Sequence, residues 1–275
     1  MNQFDDETRV ALLGSQPDER GTGPAYQGQV HPAWNIGANP NGGYLAALAA
    51  AALRQAEPAH TDPLSVTVHY LRPGLGAQPC RIDVQALRKG RTLSTLRATL
   101  LQDGLARLEL LAAMGDLAEV TTPVLALPRP EIPPPELCVG RSSEAQGIGL
   151  SILERLDIRL HPQHARAQAG GHAQVSGWIR FRDGRAPDTL ACLLFADAFP
   201  PAVFGLLGLV GWVPTVELTV HVRQRPAPGW MLGHFWTQDL CDGRTIEDGA
   251  LWDSTGRLVA QSRQLALVRQ GNVNA

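Results

Sequence analysis

The chain has 275 residues, of which 44% are hydrophobic and 18% charged, and its formal net charge is −2. This length and composition predict a sizeable buried core, arranged as one large domain or two small ones. Because there is no basic excess to neutralise phosphate backbones, nucleic-acid binding is excluded as an expected function, whereas a single anionic ligand such as coenzyme A needs only a few local cations.

The N-terminal segment 1–20 is acidic and polar, so it lacks the apolar stretch of a signal peptide. The longest apolar runs, at 44–53 and 203–213, are shorter than the roughly 20 residues that cross a bilayer. The four cysteines are widely spaced and form no C-x-x-C pair, which argues against a zinc site and a disulfide scaffold. We therefore expect a cytoplasmic protein with no membrane span and no metal or redox cofactor.

An Ala/Leu-rich run at 44–53 directly follows Asn41, Gly42 and Gly43. Ala and Leu favour helix, and a run that is apolar on all sides predicts a helix buried all round. Glycines at a helix start let a ligand approach, and free N–H groups there can polarise a carbonyl oxygen. An Asn/Gly turn that only begins the helix is an equally good interpretation. A second Ala/Leu-rich run, at 189–204, predicts a second such helix.

Segments of alternating apolar and polar residues follow each predicted helix. In 216–222 the apolar residues occupy every second position, and Glu217 and Thr219 share the other face. Further strands are predicted at 81–87, 97–101, 231–236 and 258–268, with glycine-rich turns as hairpin links. Between the two sets, 122–136 contains six prolines and is predicted to be extended. A helix followed by antiparallel strands, twice over, predicts an α+β architecture.

The chain repeats itself at an offset of 152 or 153 residues. The Thr-Val-His that begins at Thr67 recurs at Thr219, and the Gly-Arg-Thr that begins at Gly90 recurs at Gly243. Matches in the same order at nearly one offset predict a duplicated unit. We expect an N-terminal domain at 20–120, a proline-rich linker at 121–140 and a C-terminal domain at 141–270.

Three polar residues of the second copy are candidates for chemistry. Asp197 is a carboxylate amid apolar residues, which is costly to bury unless it is paired or hydrogen-bonded. It is either a functional acid or a carboxylate that faces solvent or caps a local turn. Thr215 begins one strand and Gln264 lies in the last, and each alone is more simply interpreted as an ordinary strand residue. No Gly-x-Ser-x-Gly motif is present, so a hydrolase with a serine nucleophile elbow is not supported.

Five segments, taken together, resemble one protein family. They are Asn41-Gly42-Gly43-Tyr44-Leu45, Val68-His69-Tyr70-Leu71-Arg72-Pro73-Gly74, Ala196-Asp197-Ala198-Phe199-Pro200-Pro201, Pro214-Thr215-Val216-Glu217 and Ala260-Gln261-Ser262-Arg263-Gln264. From about 28 to 268 the chain is similar to the acyl-CoA thioesterase II family and its thioesterase-like relatives. Around the shared positions it departs from the family, with Glu217-Leu218-Thr219 in place of the family's Asp-His-Ser.

The resemblance implies a double-hotdog fold, in which each copy wraps an antiparallel sheet around a helix, and an acyl-CoA substrate. It implies a catalytic site that activates water, made of Asp197, Thr215 and Gln264. The residues expected at the substrate are Asn41, Gly42, Gly43 and Tyr44. Because hotdog sheets often pair further, it also implies a homo-oligomer, with a role in fatty acid metabolism.

The repeat predicts that only the second copy carries this site. At an offset of 152, Leu45, Pro63 and Ala112 stand opposite Asp197, Thr215 and Gln264, and none of the three can replace its polar counterpart. Two alternatives stay open. One is a hotdog hydratase or dehydratase, which would use an Asp/His pair and for which His31 is the only nearby hint. The other is a non-catalytic acyl-binding or ligand-binding protein.

Overall fold

A computed structural model of the protein describes residues 2–18, 21–118, 122–167 and 171–268. The predicted domain boundaries at 20, 120, 121 and 270 lie outside these residues. The helices in the described part of the chain are α1 (Gln3–Glu7), α2 (Gly42–Ala56), α3 (Ser143–Gln146), α4 (Thr189–Phe195) and α5 (Phe204–Leu207). The strands are β1 (Ala11–Asp18), β2 (Gly21–Gln29), β3 (Asn35–Ile36), β4 (Asn39–Pro40), β5 (Asp62–Tyr70), β6 (Pro79–Lys89), β7 (Leu93–Gln102), β8 (Leu105–Gly115), β9 (Val139–Gly140), β10 (Leu156–Leu160), β11 (Gln174–Phe181), β12 (Thr215–Val222), β13 (Met231–Cys241), β14 (Arg244–Trp252) and β15 (Leu258–Leu267).

The first Ala/Leu-rich run forms α2, as predicted, and almost all of this helix is buried. Asn41 is its N-cap, and the Asn41 side-chain oxygen accepts a hydrogen bond from the N–H of Tyr44. The helix lies on the sheet of the first half, against β2, β5, β6, β7 and β8. Small alanine side chains let the helix and the sheet approach closely, which explains how so few aromatic residues fill this core.

The second Ala/Leu-rich run does not form one long helix, in contrast to the prediction for 189–204. The helix α4 ends at Phe195, and Asp197 lies in the turn that follows. Pro200 and Pro201 come next, and proline removes a backbone donor and clashes with the preceding helical turn. The early helix end leaves Asp197 just beyond the C-terminus of α4.

Thirteen of the strands form one sheet, in the order β1-β2-β6-β7-β8-β5-β12-β15-β14-β13-β11-β10-β9. Each pair of neighbouring strands in this sheet is antiparallel. On one side of the junction between β5 and β12 lie β1, β2 and β5 to β8, and on the other lie β9 to β15, while β3 and β4 pair separately. This large antiparallel sheet with a helix packed on each half is the predicted α+β double hotdog.

The strand register reproduces the sequence repeat at an offset of 152. Leu218 pairs with Gln264 in the second half, and Val66 pairs with Ala112 in the first. The helices follow a different offset, because their N-caps, Asn41 and Asp188, are 147 residues apart. The pairing of Leu45 with Asp197, predicted from the strand offset, therefore does not hold. Asp197 and Pro200 lie in the segment between α4 and β12, which is longer than the corresponding segment between α2 and β5.

Residues 122–134 contain neither helix nor strand. The strand β9 lies within the predicted linker 121–140 and pairs with β10 in the sheet of the second half. No helix in the described residues is long and apolar enough to cross a membrane.

Candidate active site

Asp197 lies where the C-terminal end of α4 meets the N-terminal end of α2. One of its carboxylate oxygens, Oδ2, accepts hydrogen bonds of 2.9 Å from Asn41 Nδ2 and 2.9 Å from the Gly43 N–H. Asn41 Nδ2 also donates to the Asp197 carbonyl oxygen at 2.7 Å. An acid at a helix N-terminus is favoured by the helix dipole and by the unpaired N–H groups there. The start of α2 therefore binds this carboxylate. The Gly43 N–H donates its hydrogen bond to Asp197 and is not free to polarise a substrate carbonyl oxygen.

Gly43 is required by the close approach of the two helices. A Cβ atom at this position would lie 2.6 Å from the Leu193 carbonyl oxygen and 2.9 Å from the Asp197 Cβ. Only a residue without a side chain lets the α2 backbone reach the Asp197 carboxylate at hydrogen-bonding distance.

Burial raises the pKa of Asp197 to about 6, against an ordinary value of 3.8. The hydrogen bonds from Gly43, Asn41 and Gly42 and the positive charge of Arg141 act in the opposite direction and limit the rise. A carboxylate with this pKa is ionised at neutral pH and is a stronger base than an exposed aspartate, as general-base catalysis requires.

Thr215 and Gln264 are hydrogen-bonded to each other. The strands β12 and β15 are adjacent, and the Thr215 hydroxyl donates to Gln264 Oε1 at 3.1 Å. The Gln264 amide in turn donates from Nε2 to Glu247 Oε1 at 2.9 Å. The resulting chain of polar groups begins at Thr215 and ends at Glu247.

Glu247 is a member of this cluster that the sequence analysis missed. It is buried on β14, and its second oxygen, Oε2, accepts a 2.6 Å hydrogen bond from the Ala202 N–H. Burial, together with the negative charge of Asp197, raises the pKa of Glu247 to about 7, and the hydrogen bonds from the Ala202 N–H and the Gln264 amide limit the rise. A signal was present in the sequence: Glu247 shares the inward face of its strand with Thr245 and Gly249, where an acid is unexpected.

Asp197, Thr215, Gln264 and Glu247 line one cavity of about 420 Å³. Among its other lining residues, the polar ones include Asn41, Tyr70, Arg72 and Arg141, and the apolar ones include Phe199, Phe204, Trp212, Val213 and Phe235. The cavity thus joins polar groups that can orient water to apolar walls that can receive an acyl chain.

Only two of the four residues predicted to contact the substrate line this cavity. Asn41 and Gly42 line the cavity, whereas Gly43 and Tyr44 do not. The Tyr44 ring is fully buried and stacks on Trp34, and its hydroxyl donates to the Glu7 carbonyl oxygen at 2.7 Å. Tyr44 therefore holds the N-terminal segment in place. His31, which the hydratase alternative would require, also lies outside the cavity lining.

Arg141 places a buried positive charge beside Asp197. Its Nη1 donates to the carbonyl oxygen of Ala198, and its Nε donates to Gln146 Oε1 at 2.8 Å. Burial lowers the pKa of this guanidinium to about 9, and the Asp197 charge partly offsets that effect. It remains protonated at neutral pH, so it favours negative charge in the cavity.

The opposite helix junction, where α4 begins and α2 ends, contains a network of salt bridges instead. Asp62 accepts a hydrogen bond of 2.8 Å from Arg225 Nη2 and another of 3.1 Å from the Thr189 hydroxyl. Arg54 donates to Thr189 and to Asp188. The cluster of an acid, a hydroxyl and an amide found at Asp197 is not repeated here, which agrees with a single candidate site in the described part of the chain.

Comparisons with known proteins match both halves of the chain to domains of one family. Residues 30–118 match the family model of the acyl-CoA thioesterase N-terminal domain, and residues 130–268 match that of the acyl-CoA thioesterase C-terminal domain. A candidate thioesterase II from Thermobifida fusca is 33% identical and has a TM-score of 0.84, with 98% of each chain covered. An acyl-CoA thioesterase II from Mycobacterium marinum, at 20% identity and a TM-score of 0.70 over 98% of this chain and 100% of its own, shares the fold.

Among curated sequences, an uncharacterized protein of Mycobacterium tuberculosis is 29% identical over 268 residues, covering 88% of this chain and 90% of its own. The two family models together span most of the chain and match its halves in the expected order. The protein belongs to the acyl-CoA thioesterase family.

Proposed function

We propose that this protein hydrolyses an acyl-CoA thioester to a free acid and CoA, using a water molecule activated by Asp197. The observation that carries the proposal is the convergence of Asp197, Thr215 and Gln264 on one partly apolar cavity. Asp197 lies in the turn after α4, Thr215 lies on β12 and Gln264 lies on β15, so separate segments of the chain supply the three residues. An ionised, partly buried base that shares its cavity with a hydroxyl and an amide group is suited to hold and deprotonate water.

In the proposed reaction, water donates one proton to the Asp197 carboxylate while its oxygen attacks the thioester carbonyl carbon. The carbonyl π bond opens to an oxyanion, and the positive charge of Arg141 in the same cavity favours that negative charge. When the carbonyl re-forms, the carbon–sulfur bond breaks and CoA leaves as a thiolate. The thiolate takes the proton from Asp197, which regenerates the base.

The walls of the cavity suggest how the substrate lies. The acyl chain would pack against aromatic side chains such as Phe199 and Phe235, and the thioester would lie near Asp197. Arg72 is an exposed cation that lines the same cavity, so it can meet a phosphate of CoA.

Several coarser features of the protein are also proposals. We propose a domain division at 20–120 and 141–270 around the linker at 121–140, since the sheet changes halves between β5 and β12. From the family resemblance we propose a cytoplasmic homo-oligomer that acts in fatty acid metabolism.

The test is thiol release from a panel of acyl-CoAs, from short to long chains, by wild-type protein and Asp197→Asn. We expect turnover of some chain length, with kcat reduced at least about 100-fold by the substitution and KM nearly unchanged. Asp242→Asn, at an exposed surface position, is the matched control and should behave as wild type.

Binding of CoA esters without turnover of any member would instead assign the protein to the ligand-binding class. Turnover that survives Asp197→Asn would keep the thioesterase activity and move the base elsewhere. Reversible hydration of an enoyl-CoA without thiol release would support the hydratase alternative.

A further inference from the structure

Glu247 lies at the end of the hydrogen-bonded chain that reaches Thr215. It pairs directly with Gln264 across β14 and β15, and both of its carboxylate oxygens accept hydrogen bonds, one from Gln264 and one from the Ala202 N–H. Ala202 follows the turn that contains Asp197, so Glu247 also ties that turn to the strand of Gln264.

The carboxylate of Glu247 decides which group donates and which accepts in each hydrogen bond from Glu247 to Thr215. An ionised carboxylate can only accept hydrogen bonds, so Glu247 requires the NH₂ end of the Gln264 amide to face it. The amide oxygen then faces Thr215 and accepts its hydroxyl proton. Because a hydroxyl has a single proton, the Thr215 oxygen is left with only lone pairs for a bound water.

We propose that Glu247 is a positioning residue that fixes the Gln264 amide and, through it, turns the Thr215 hydroxyl into a hydrogen-bond acceptor for the catalytic water. With Thr215 and Asp197 both accepting, the two protons of the water are directed at protein oxygens. Its lone pair is then free to point at the thioester carbon. This inference rests on the proposed hydrolysis at Asp197 and names a residue that the Asp/Thr/Gln site does not include.

The arrangement should depend on the ionisation of Glu247. Protonated Glu247 could donate to Gln264, which would let the amide turn over and present its NH₂ group to Thr215. The charges of Asp197 and of Asp248, the next residue on β14, raise the pKa of Glu247, and the hydrogen bonds from the Gln264 amide and the Ala202 N–H lower it. The pKa of about 7 places this change close to neutral pH.

The first variant is Glu247→Gln, which keeps the shape but can donate or accept, so it no longer sets the amide direction. We expect kcat to fall about 10- to 100-fold with KM within about threefold, since geometry in the transition state is lost rather than binding. In wild type, kcat/KM should fall with a slope steeper than one below neutral pH, because protonation of Asp197 removes the base and protonation of Glu247 lowers the activity further. In Glu247→Gln the slope should be one.

The decisive variant exchanges the two side chains, Glu247→Gln together with Gln264→Glu. A carboxylate at 264 again accepts the Thr215 proton, and an amide at 247 can donate to it while accepting from the Ala202 N–H. We expect this double variant to be at least about 10-fold more active than either single variant, which a purely structural role for Glu247 would not produce. Asp248→Asn, the neighbour on β14, is the control and should keep the steeper slope of wild type.

A second readout separates this inference from the hydrolase proposal. The side-chain amide NMR signal of Gln264, in ¹⁵N-glutamine-labelled protein, should titrate near pH 7 in wild type and lose that transition in Glu247→Gln. Unchanged kcat and slope in Glu247→Gln, no rescue in the exchange variant, or no such amide titration would each overturn the positioning role. If no acyl-CoA is hydrolysed but the amide titrates, the proposed reaction fails and the link between Glu247 and Gln264 stands.

Discussion

The hydroxyl oxygens of Thr67 and Thr219 are 2.9 Å apart at the junction of the two halves of the chain. The two residues are opposite each other in the β5–β12 pairing and are also counterparts in the sequence repeat. On either side, Val66 faces Val220 and Val68 faces Leu218, so each half presents the same strand to the other. The approximate twofold axis of the duplicated fold therefore passes through this threonine pair.

This pair predicts unequal effects of two equivalent substitutions. The Thr219 hydroxyl donates to Glu217 Oε1 at 2.6 Å, so the proton between the two threonines comes from Thr67. Thr67→Val removes one hydrogen bond and should cost about 1 kcal/mol, whereas Thr219→Val removes two and should cost about twice as much. Urea unfolding of both variants gives the comparison, and equal losses would contradict the assigned proton direction.

The salt-bridge network at the opposite helix junction should stabilise the fold without serving catalysis. Asp62 is buried and accepts from Arg225, Thr189 and the Leu117 N–H. Asp62→Asn should lower the free energy of unfolding by about 2 kcal/mol, less than for a fully buried pair because Arg225 is about half exposed. Thiol release should stay within about twofold of wild type.

The matched control for Asp62→Asn is Asp242→Asn. Asp242 has a similarly short contact with Arg244, at 2.6 Å against 2.8 Å for Asp62 and Arg225, but both of its side chains are mostly exposed. An exposed ion pair of this kind contributes about 0–1 kcal/mol, so the control should unfold close to wild type. Equal losses in the two variants would show that burial of Asp62 is not what makes its network stabilising.

Gly43→Ala should destabilise the protein even though alanine favours helix. The gain in helix propensity is at most about 1 kcal/mol, whereas a clash with backbone atoms in a packed core costs about 1–3 kcal/mol. The added Cβ would lie 2.6 Å from the Leu193 carbonyl oxygen, which has no flexible end that can move away. We expect a lower melting temperature together with loss of thiol release, because Asp197 must shift.

Gly149→Ala controls for the general effect of adding a methyl group. A Cβ atom at Gly149 meets nothing within 4 Å, so that variant should keep both the stability and the activity of wild type. A Gly43→Ala protein as stable and as active as the control would mean that the helices can separate without disturbing the site.

Removing the charge of Arg141 should move the acid limb of the pH profile. The Arg141 guanidinium lowers the pKa of Asp197, so Arg141→Met should raise that pKa above its present value of about 6. The base works as a carboxylate, so activity falls as the pH falls through this pKa, and a higher pKa moves the loss to higher pH. In kcat/KM profiles, the acid limb of Arg141→Met should lie at higher pH than that of wild type. The acid limb of Arg141→Lys, which keeps the charge, should lie closer to that of wild type.

The buried charge of Asp197 should cost stability at neutral and alkaline pH. Its folded-state pKa of about 6 exceeds the ordinary 3.8, so the folded state binds the proton more tightly and stability falls as the pH rises between these values. Above pH 6 the full cost, on the order of 3 kcal/mol, is present. Asp197→Asn should therefore raise the urea midpoint at pH 8 and have little effect at pH 4. A lowered midpoint at pH 8 would mean that the lost hydrogen bonds outweigh the relieved burial.

The sequence by itself determined the duplication, the first buried helix and most strands, because these depend on composition and periodicity within short segments. It also marked Asp197, since an acid in an apolar stretch is unusual wherever the chain folds. It overestimated the second helix, because the apolar composition of 189–204 continues past the point where Pro200 and the turn at Asp197 end α4.

Only the tertiary structure decided how the polar residues meet. Whether Thr215 and Gln264 are ordinary strand residues depends on the register of β12 and β15, which joins positions far apart in the sequence. Glu247 joins the cluster through the pairing of β14 with β15, and Asn41 reaches Asp197 through the crossing of α2 and α4. Burial and long-range contacts set the ionisation of these acids, and neither is a property of the local sequence.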